Sequence, residues 1–579
     1  MINQENQIDF LKLKKNLKKD FSNLKLVKIA ILGDSSTQIL HQALKGYGFE
    51  VGIDFLIYES DYNQISQEIL NPDSGLFQFQ PAFTILLHCV QNQYANFCTK
   101  EEKDRLSFAD DYLKSIEALI KKLDSLDTQI IFNNFIELND SVFGNFSNKV
   151  GHSFLFQIRK LNFELMQLSQ KHHKLFLNDI CSLSNQHGQN FSIDHKLYLS
   201  SDFAFSIDFF VLIAKNMVDI ILPHLGRIKK CLILDLDNTI WGGEIGEDGL
   251  NNIQIGNIGI GKAYSEIQTW AKELKNRGII LAVCSKNTES IAMAPFIEHP
   301  EMVLRLDDIS VFVANWNNKD ENIKHIQTVL NIGFDSMVFL DDNQFERGLV
   351  RHAFPEICIP ELPADPAEYL DFLKSLNLFE TVSISSEDKK RTRLYQDEFK
   401  RVIHKQESKS EEEFFKNLHM ASSVKNFDEY GIPRIAQLLQ RSNQFNLRTI
   451  RYSEEELYKI SYSEEYVPLY FNLSDTYGAY GLIAVVILKK LKESLFIDTW
   501  AMSCRILKRG MEEFIMNYIV DIARRNRYYK ITGEIIPTAK NVIIKDLLLN
   551  FKFTSHNNNW VLNVDQWIEL PTAIKLNNN

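Results

Sequence analysis

Residues 231–241, Cys231-Leu-Ile-Leu-Asp235-Leu-Asp237-Asn-Thr239-Ile-Trp241, decide how the chain is read. An apolar run of strand length stops at two aspartates two positions apart. Side chains alternate along a strand, so Asp235 and Asp237 leave it on the same side, where pairing ends. In an open parallel sheet that carboxyl edge is where ligands bind. Two carboxylates held together repel each other unless a cation or a shared proton intervenes. The pair points to a Mg2+ site with one Asp as nucleophile; taken alone, it is no more than an acidic turn.

Other segments supply company. Gly278-Ile-Ile-Leu-Ala-Val-Cys284-Ser285-Lys286-Asn287 is a second buried strand, ending in a hydroxyl, a cation and an amide. Ser336-Met-Val-Phe-Leu-Asp341-Asp342-Asn343 is a third, ending in a carboxylate pair. Between them an isolated Lys319 precedes an amphipathic stretch (Ile323, Ile326, Val329, Leu330). Such a set serves phosphoryl transfer: a carboxylate attacks phosphorus, Mg2+ offsets charge, and Ser and Lys hold the phosphoryl oxygens.

DxDxT, a strand-ending Ser, a downstream Lys and a DD pair, in that order, resemble the haloacid dehalogenase (HAD) phosphatase superfamily. The strings LDLDNTIWGGEIGEDG, VCSKN and FLDDNQFER resemble its FkbH-like subfamily. The resemblance implies that Asp235 forms an aspartyl-phosphate and that Asp237 is the acid/base, its carbonyl also binding Mg2+. It implies that Thr239 supports the turn, that Ser285 and Lys319 hold the phosphoryl group with Lys286 and Asn287 beside them, and that Asp341 and Asp342 complete the metal shell.

At 579 residues the chain exceeds one core, and three domains are expected. The expected class is α/β: an SGNH-like parallel-sheet domain over 1–225, a capless HAD domain over 226–375, and a GNAT-like mixed domain over 417–579. A charged helical linker, 376–416, separates the last two. About 45 residues lie between Thr239 and Ser285 and about 33 between Ser285 and Lys319, too few for a folded cap. The segment Trp241–Gly249 reads as a flap whose acids form a solvated turn. An uncapped site suits a macromolecular substrate, or one covered by another domain.

A net charge of −11 argues against nucleic acid, and no apolar run approaches bilayer-spanning length. A cytoplasmic location is expected. The seven Cys (Cys89, Cys98, Cys181, Cys231, Cys284, Cys358 and Cys504) form no CxxC pair, so neither a zinc site nor a disulfide framework is expected.

Thr499-Trp500-Ala-Met-Ser503-Cys504-Arg505-Ile-Leu-Lys508-Arg509-Gly510 resembles the acyl-CoA-binding turn of GNAT acetyltransferases. Arg505 and Gly510 match its pattern, while Lys508 replaces the middle Gly, which puts CoA binding in doubt. Residues Arg505 to Arg524 read as a helix. That places Cys504 beside Arg505 at a helix N-terminus, a setting that favours a thiolate. The FkbH-like resemblance implies a thiol that holds an acyl group, and in that role Cys504 is the candidate nucleophile and Cys284 its competitor. In the N-terminal domain, Gly33-Asp34-Ser35 resembles the first block of SGNH hydrolases. Asn133-Asn134 is a loose match for their oxyanion Asn. Asp194-His195 has the wrong spacing for their late Asp-x-x-His, so a role in docking or dimerisation is expected here.

FkbH-like proteins are associated with moving a glyceryl unit from 1,3-bisphosphoglycerate to an acyl carrier protein. The resemblance therefore implies a small phosphorylated substrate, an acyl carrier protein as partner, and Mg2+ as cofactor. The alternative is a phosphatase on a small metabolite or sugar phosphate with an acyltransferase-like C-terminal domain.

Overall fold

The computed structural model describes residues 9–138, 140–384, 394, 396–397, 401, 410–556 and 559–577. The chain divides into two compact units, Met1–Leu222 and Pro223–Asn579. Among the described residues the first carries one sheet and the second carries two. Most of the charged stretch 376–416 lies outside the described residues.

The N-terminal unit is built on five parallel strands: β1 (Lys25–Gly33), β2 (Ile53–Glu59), β3 (Phe83–Leu87), β4 (Gln129–Asn133) and β5 (Leu175–Asn178). Their order is β2-β1-β3-β4-β5. Every residue of β3 is buried, as expected of a parallel strand covered on both faces.

The second unit opens with β6 (Cys231–Leu234), β7 (Ile280–Ser285), β8 (Val311–Ala314) and β9 (Met337–Leu340). They form a parallel sheet in the order β8-β7-β6-β9. Strand alternation sorts its residues into two cores. Leu232, Leu234, Leu281, Val283, Val338 and Leu340 face helix Gly261–Asn276. Ile233, Ile280, Ala282, Met337 and Phe339 face helix Lys319–Leu330 through Ile323, Ile326, Val329 and Leu330. Because β6 lies between β7 and β9, their three polar ends meet at one edge. The intervals on either side of Ser285 add no further sheet among the described residues.

The remaining strands are β10 (Ala421–Asn426), β11 (Tyr466–Asp475), β12 (Gly478–Lys490), β13 (Ser494–Met502), β14 (Lys530–Gly533), β15 (Thr554–His556), β16 (Asn559–Asn563) and β17 (Lys575–Leu576). They make a mixed sheet in the order β15-β16-β14-β13-β12-β11-β10-β17. Strands β10 to β13 pair antiparallel, whereas β13 and β14 are parallel and pair only over Ser494–Ile497 and Lys530–Gly533. The helix expected from Arg505 begins instead at Met511. Cys504–Ile506 is one 3-10 turn. Lys508 (φ 62°) and Gly510 (φ 81°) adopt the left-handed backbone, which an α-helix cannot accommodate. No described helix is long and apolar enough to cross a membrane.

Candidate active site

Asp235 is the first residue past β6. Its backbone N–H donates to the Leu340 carbonyl at 2.9 Å, tying that end of β6 to the end of β9. Asp341 and Asp342 follow β9 directly. Carboxylate oxygens of Asp235, Asp341 and Asp342 all lie within 4.8 Å of one another. Lys319, the first residue of its helix, enters this group. Its Nζ stands 2.9 Å from Asp235 Oδ2 and 2.6 Å from Asp341 Oδ2.

Lys319 is 3% exposed and Asp341 0%. Three carboxylates against one ammonium in so dry a place leave excess negative charge. Burial, then the charge on Asp235, pushes the Asp341 carboxyl up to about 7 against the pull of Lys319. Asp342 and Asp237 are also raised, chiefly by burial. Burial alone favours neutral Lys319, but Asp235 and Asp341 hold it charged and above its usual range. An all-oxygen donor set with surplus negative charge fits a hard divalent cation such as Mg2+, held by Asp235, Asp341 and Asp342. The flap acids Glu244, Glu247 and Asp248 are not part of this group.

Around the carboxylates each polar group has a task. Asp237 accepts from Trp241 Nε1 at 2.8 Å and from the Ile245 N–H at 3.0 Å on Oδ1, and from Asn287 Nδ2 at 3.0 Å on Oδ2. Asn238 turns the chain there in the left-handed region (φ 54°), which Asn tolerates better than most residues. Thr239 Oγ1 accepts the Asp342 N–H at 3.1 Å, so this hydroxyl braces the metal loop. Ser285 ends β7 at the same edge, 2% exposed. Lys286 is drawn aside, its Nζ 2.6 Å from Glu346 Oε1. One contributor was not anticipated. Arg347 donates through Nη1 to the carbonyls of Asp341 and Asp342 at 2.8 and 2.7 Å, clamping the backbone that carries both acids. Its only sequence signal is its place in FLDDNQFER, six residues past Asp341.

Cys504 and Arg505 do not join this edge. The Cys504 carbonyl accepts from Asn331 Nδ2, and Asn331 caps the far end of the helix that Lys319 begins. Twelve residues at about 1.5 Å rise separate the two ends by roughly 18 Å. Cys504 thus stands at the amino edge of the β8-β7-β6-β9 sheet, opposite Asp235. It also lacks the α-helix N-terminus expected to activate it. Cys284 is nearer, its Sγ 3.8 Å from the Lys319 carbonyl, but burial pushes its thiol far above the range in which a thiolate forms. The turn expected to receive a pyrophosphate is filled from within: the Lys508 N–H donates to Glu512 Oε1 at 3.0 Å.

In the N-terminal unit, Asp34 and Ser35 follow β1 and are buried, and Asp34 Oδ1 accepts the Cys89 N–H at 2.6 Å. Asp194 caps the helix His195–Ser201. The late acid beside the Gly33-Asp34-Ser35 turn is instead Asp202, whose carbonyl accepts the Ser36 N–H at 3.0 Å. Three positions on, where the hydrolase pattern needs His, stands buried Phe205. Asn133 and Asn134 spend their amide N–H groups on the Leu86 carbonyl and on Asp179.

Comparison with known proteins agrees with the central motifs. The family model described as FkbH, N-terminal domain, matches residues 28–222. The chain is similar to the N-terminal part of BF1531 from Bacteroides fragilis, solved with its phosphatase domain complexed with Mg. Identity is 46% and the TM-score 0.63, over 65% of this chain and 100% of that one. The ribosomal-protein-S18-alanine N-acetyltransferase of Escherichia coli matches at 13% identity and TM-score 0.21, over 26% of this chain and 97% of that one. Spermidine N-acetyltransferase from Vibrio cholerae matches at 12% identity and TM-score 0.21, over 25% of this chain and 96% of that one. No curated protein matches the chain. The chain belongs to the FkbH-like family of the HAD superfamily and is an enzyme of the phosphatase type.

Proposed function

We propose that this enzyme is Mg2+-dependent, takes a phosphorylated three-carbon acyl donor of the 1,3-bisphosphoglycerate kind, releases phosphate and loads the glyceryl unit onto an acyl carrier protein. The observation that carries the reading is Lys319 held between Asp235 and Asp341 at a strand edge. An ammonium fixed there neutralises a phosphoryl oxygen as Asp235 approaches phosphorus. The Mg2+ seen with the Bacteroides fragilis relative supports the same ion here, where it supplies charge compensation to the phosphoryl oxygens.

Attack by Asp235 on a phosphomonoester breaks the P–O bond and puts the phosphoryl group on Asp235. Asp237 gives its proton to the departing oxygen and later takes one from the water that hydrolyses the aspartyl-phosphate. Burial raises its carboxyl, which suits it to hold that proton, while its three donors steady the carboxylate left when the proton is given up. A donor with two phosphates divides the chemistry. Cleaving the ester frees a hydroxyl and leaves the acyl phosphate intact. A thiol then attacks the acyl carbon, a thioester forms, and the second phosphate leaves. Attack by Asp235 at the acyl phosphate itself would discard that activation.

The alternative, a phosphatase on a small metabolite or sugar phosphate, is favoured by one observation: Cys504 is remote from Asp235. Loading through this chain alone therefore calls on the carrier's own thiol. The test is mass spectrometry of a carrier protein incubated with enzyme, Mg2+ and 1,3-bisphosphoglycerate. A glyceryl mass gain is expected. Phosphate release with an unchanged carrier would leave the phosphatase reading in its place.

A further inference from the structure

A second cleft opens between the amino edge of the HAD sheet and the C-terminal mixed sheet, both within the second unit. Its volume is about 440 Å³, ample for a small metabolite. Five cationic side chains line it: Lys230, Arg434, Arg441, Arg505 and Lys540. Only two acids do, Asp335 and Glu356, and Asp335 is engaged by Lys540. In a chain of net charge −11 such a concentration of cations is a local reversal of sign.

Of these lining residues Arg505 is the decisive one. It is 8% exposed, and its Nη1 has no hydrogen-bond partner among the described residues. Its remaining contacts are long, Nε to Ser503 Oγ at 3.3 Å and Nη2 to the Tyr480 carbonyl at 3.5 Å. Among the described residues no carboxylate lies within ion-pairing distance of it. A guanidinium buried this far is costly unless an anion completes it, and its planar fork matches phosphate and carboxylate oxygens. Ile280, Phe334 and Met502 supply an apolar wall for the body of a ligand. The cleft is not the pyrophosphate turn of an acetyltransferase, because Glu512 occupies that turn. Nor is it the Mg2+ edge, which lies a helix length away.

We propose that this cleft is a second anion site, built to bind the phosphate group of a small phosphorylated molecule through Arg505 and Lys540. The test measures binding of inorganic phosphate to the full chain by calorimetry in the presence of a chelator, so that the Mg2+-dependent edge does not contribute. Wild type and Asp235→Asn are expected to bind equally. Arg505→Gln is expected to weaken binding by about tenfold or more, the loss of one bidentate charge-assisted contact. If Arg505→Gln fails to fold, Lys540→Gln, at a partly exposed side chain, is expected to weaken binding in the same direction. Absence of chelator-resistant binding, unchanged binding in the variant that folds, or loss that follows Asp235→Asn would each overturn the proposal.

Discussion

At the scale of single residues the site rests on charge balance. Among the described residues Lys319 is the one cation paired with the buried Asp235 and Asp341, beside the half-buried Asp342, so removing it leaves like charges together in a dry place. Breaking a buried pair by deleting one partner costs about 3–5 kcal/mol. Lys319→Ala is therefore expected to lower the unfolding temperature in chelator, and Mg2+ is expected to raise it more in the variant than in wild type. An equal Mg2+ effect in both proteins would count against the ion lying among these carboxylates. Asp235→Asn is expected to cut phosphate release by about 10³ or more while leaving the circular dichroism spectrum unchanged. Full activity in that variant would remove Asp235 from the role of nucleophile. The sequence made these residues legible because strand ends are where apolar runs stop, so polar groups stand out. Arg347 was not legible: its partners in the metal loop are backbone carbonyls, which leave no mark in the sequence.

At the scale of elements, the turn after β1 shows where pattern reading ran out. Asp194-His195 has the wrong spacing for the late acid of a hydrolase, and the fold spends Asp194 as a helix cap while Asp202 reaches the turn. Long-range juxtaposition of that kind has no local signature. The turn also stores a pH dependence. Burial is the main force raising the Asp34 carboxyl to about 7, against the N–H of Cys89, which opposes the shift. The native state then holds this proton more tightly than the unfolded chain does. Its contribution to stability is complete below the ordinary value of 3.8 and is lost as pH rises through about 7. Hydrogen-exchange mass spectrometry on β1 peptides, corrected for intrinsic rates, is expected to show protection falling over that window. Asp34→Asn is expected to flatten the fall. A wild-type profile that is already flat would show that Asp34 is ionised in the fold throughout.

At the scale of the second unit, three sheet-ending motifs were enough to read the HAD fold, because its strands are fully buried and therefore continuous in apolar character. The C-terminal sheet was legible only in part. Its strands β12 and β13 stood out, but the helix start did not, since Lys508 and Gly510 take left-handed backbone that Lys does not advertise. That small misreading had a large consequence for Cys504. Read as a helix-capping thiol it looked like an acyl carrier; in the fold it contacts the cap of the helix whose other end is Lys319. A thioester on Cys504 would have to cross roughly 18 Å to meet a phosphate at Asp235, far beyond the reach of a three-carbon unit. Cys504→Ser is therefore expected to retain both phosphate release and carrier loading, and intact-protein mass spectrometry is expected to show no glyceryl adduct on the enzyme. An adduct that maps to Cys504 and disappears in Cys504→Ser would return Cys504 to the role of acyl carrier, with acylation taking place in the cleft that Cys504 lines rather than at Asp235.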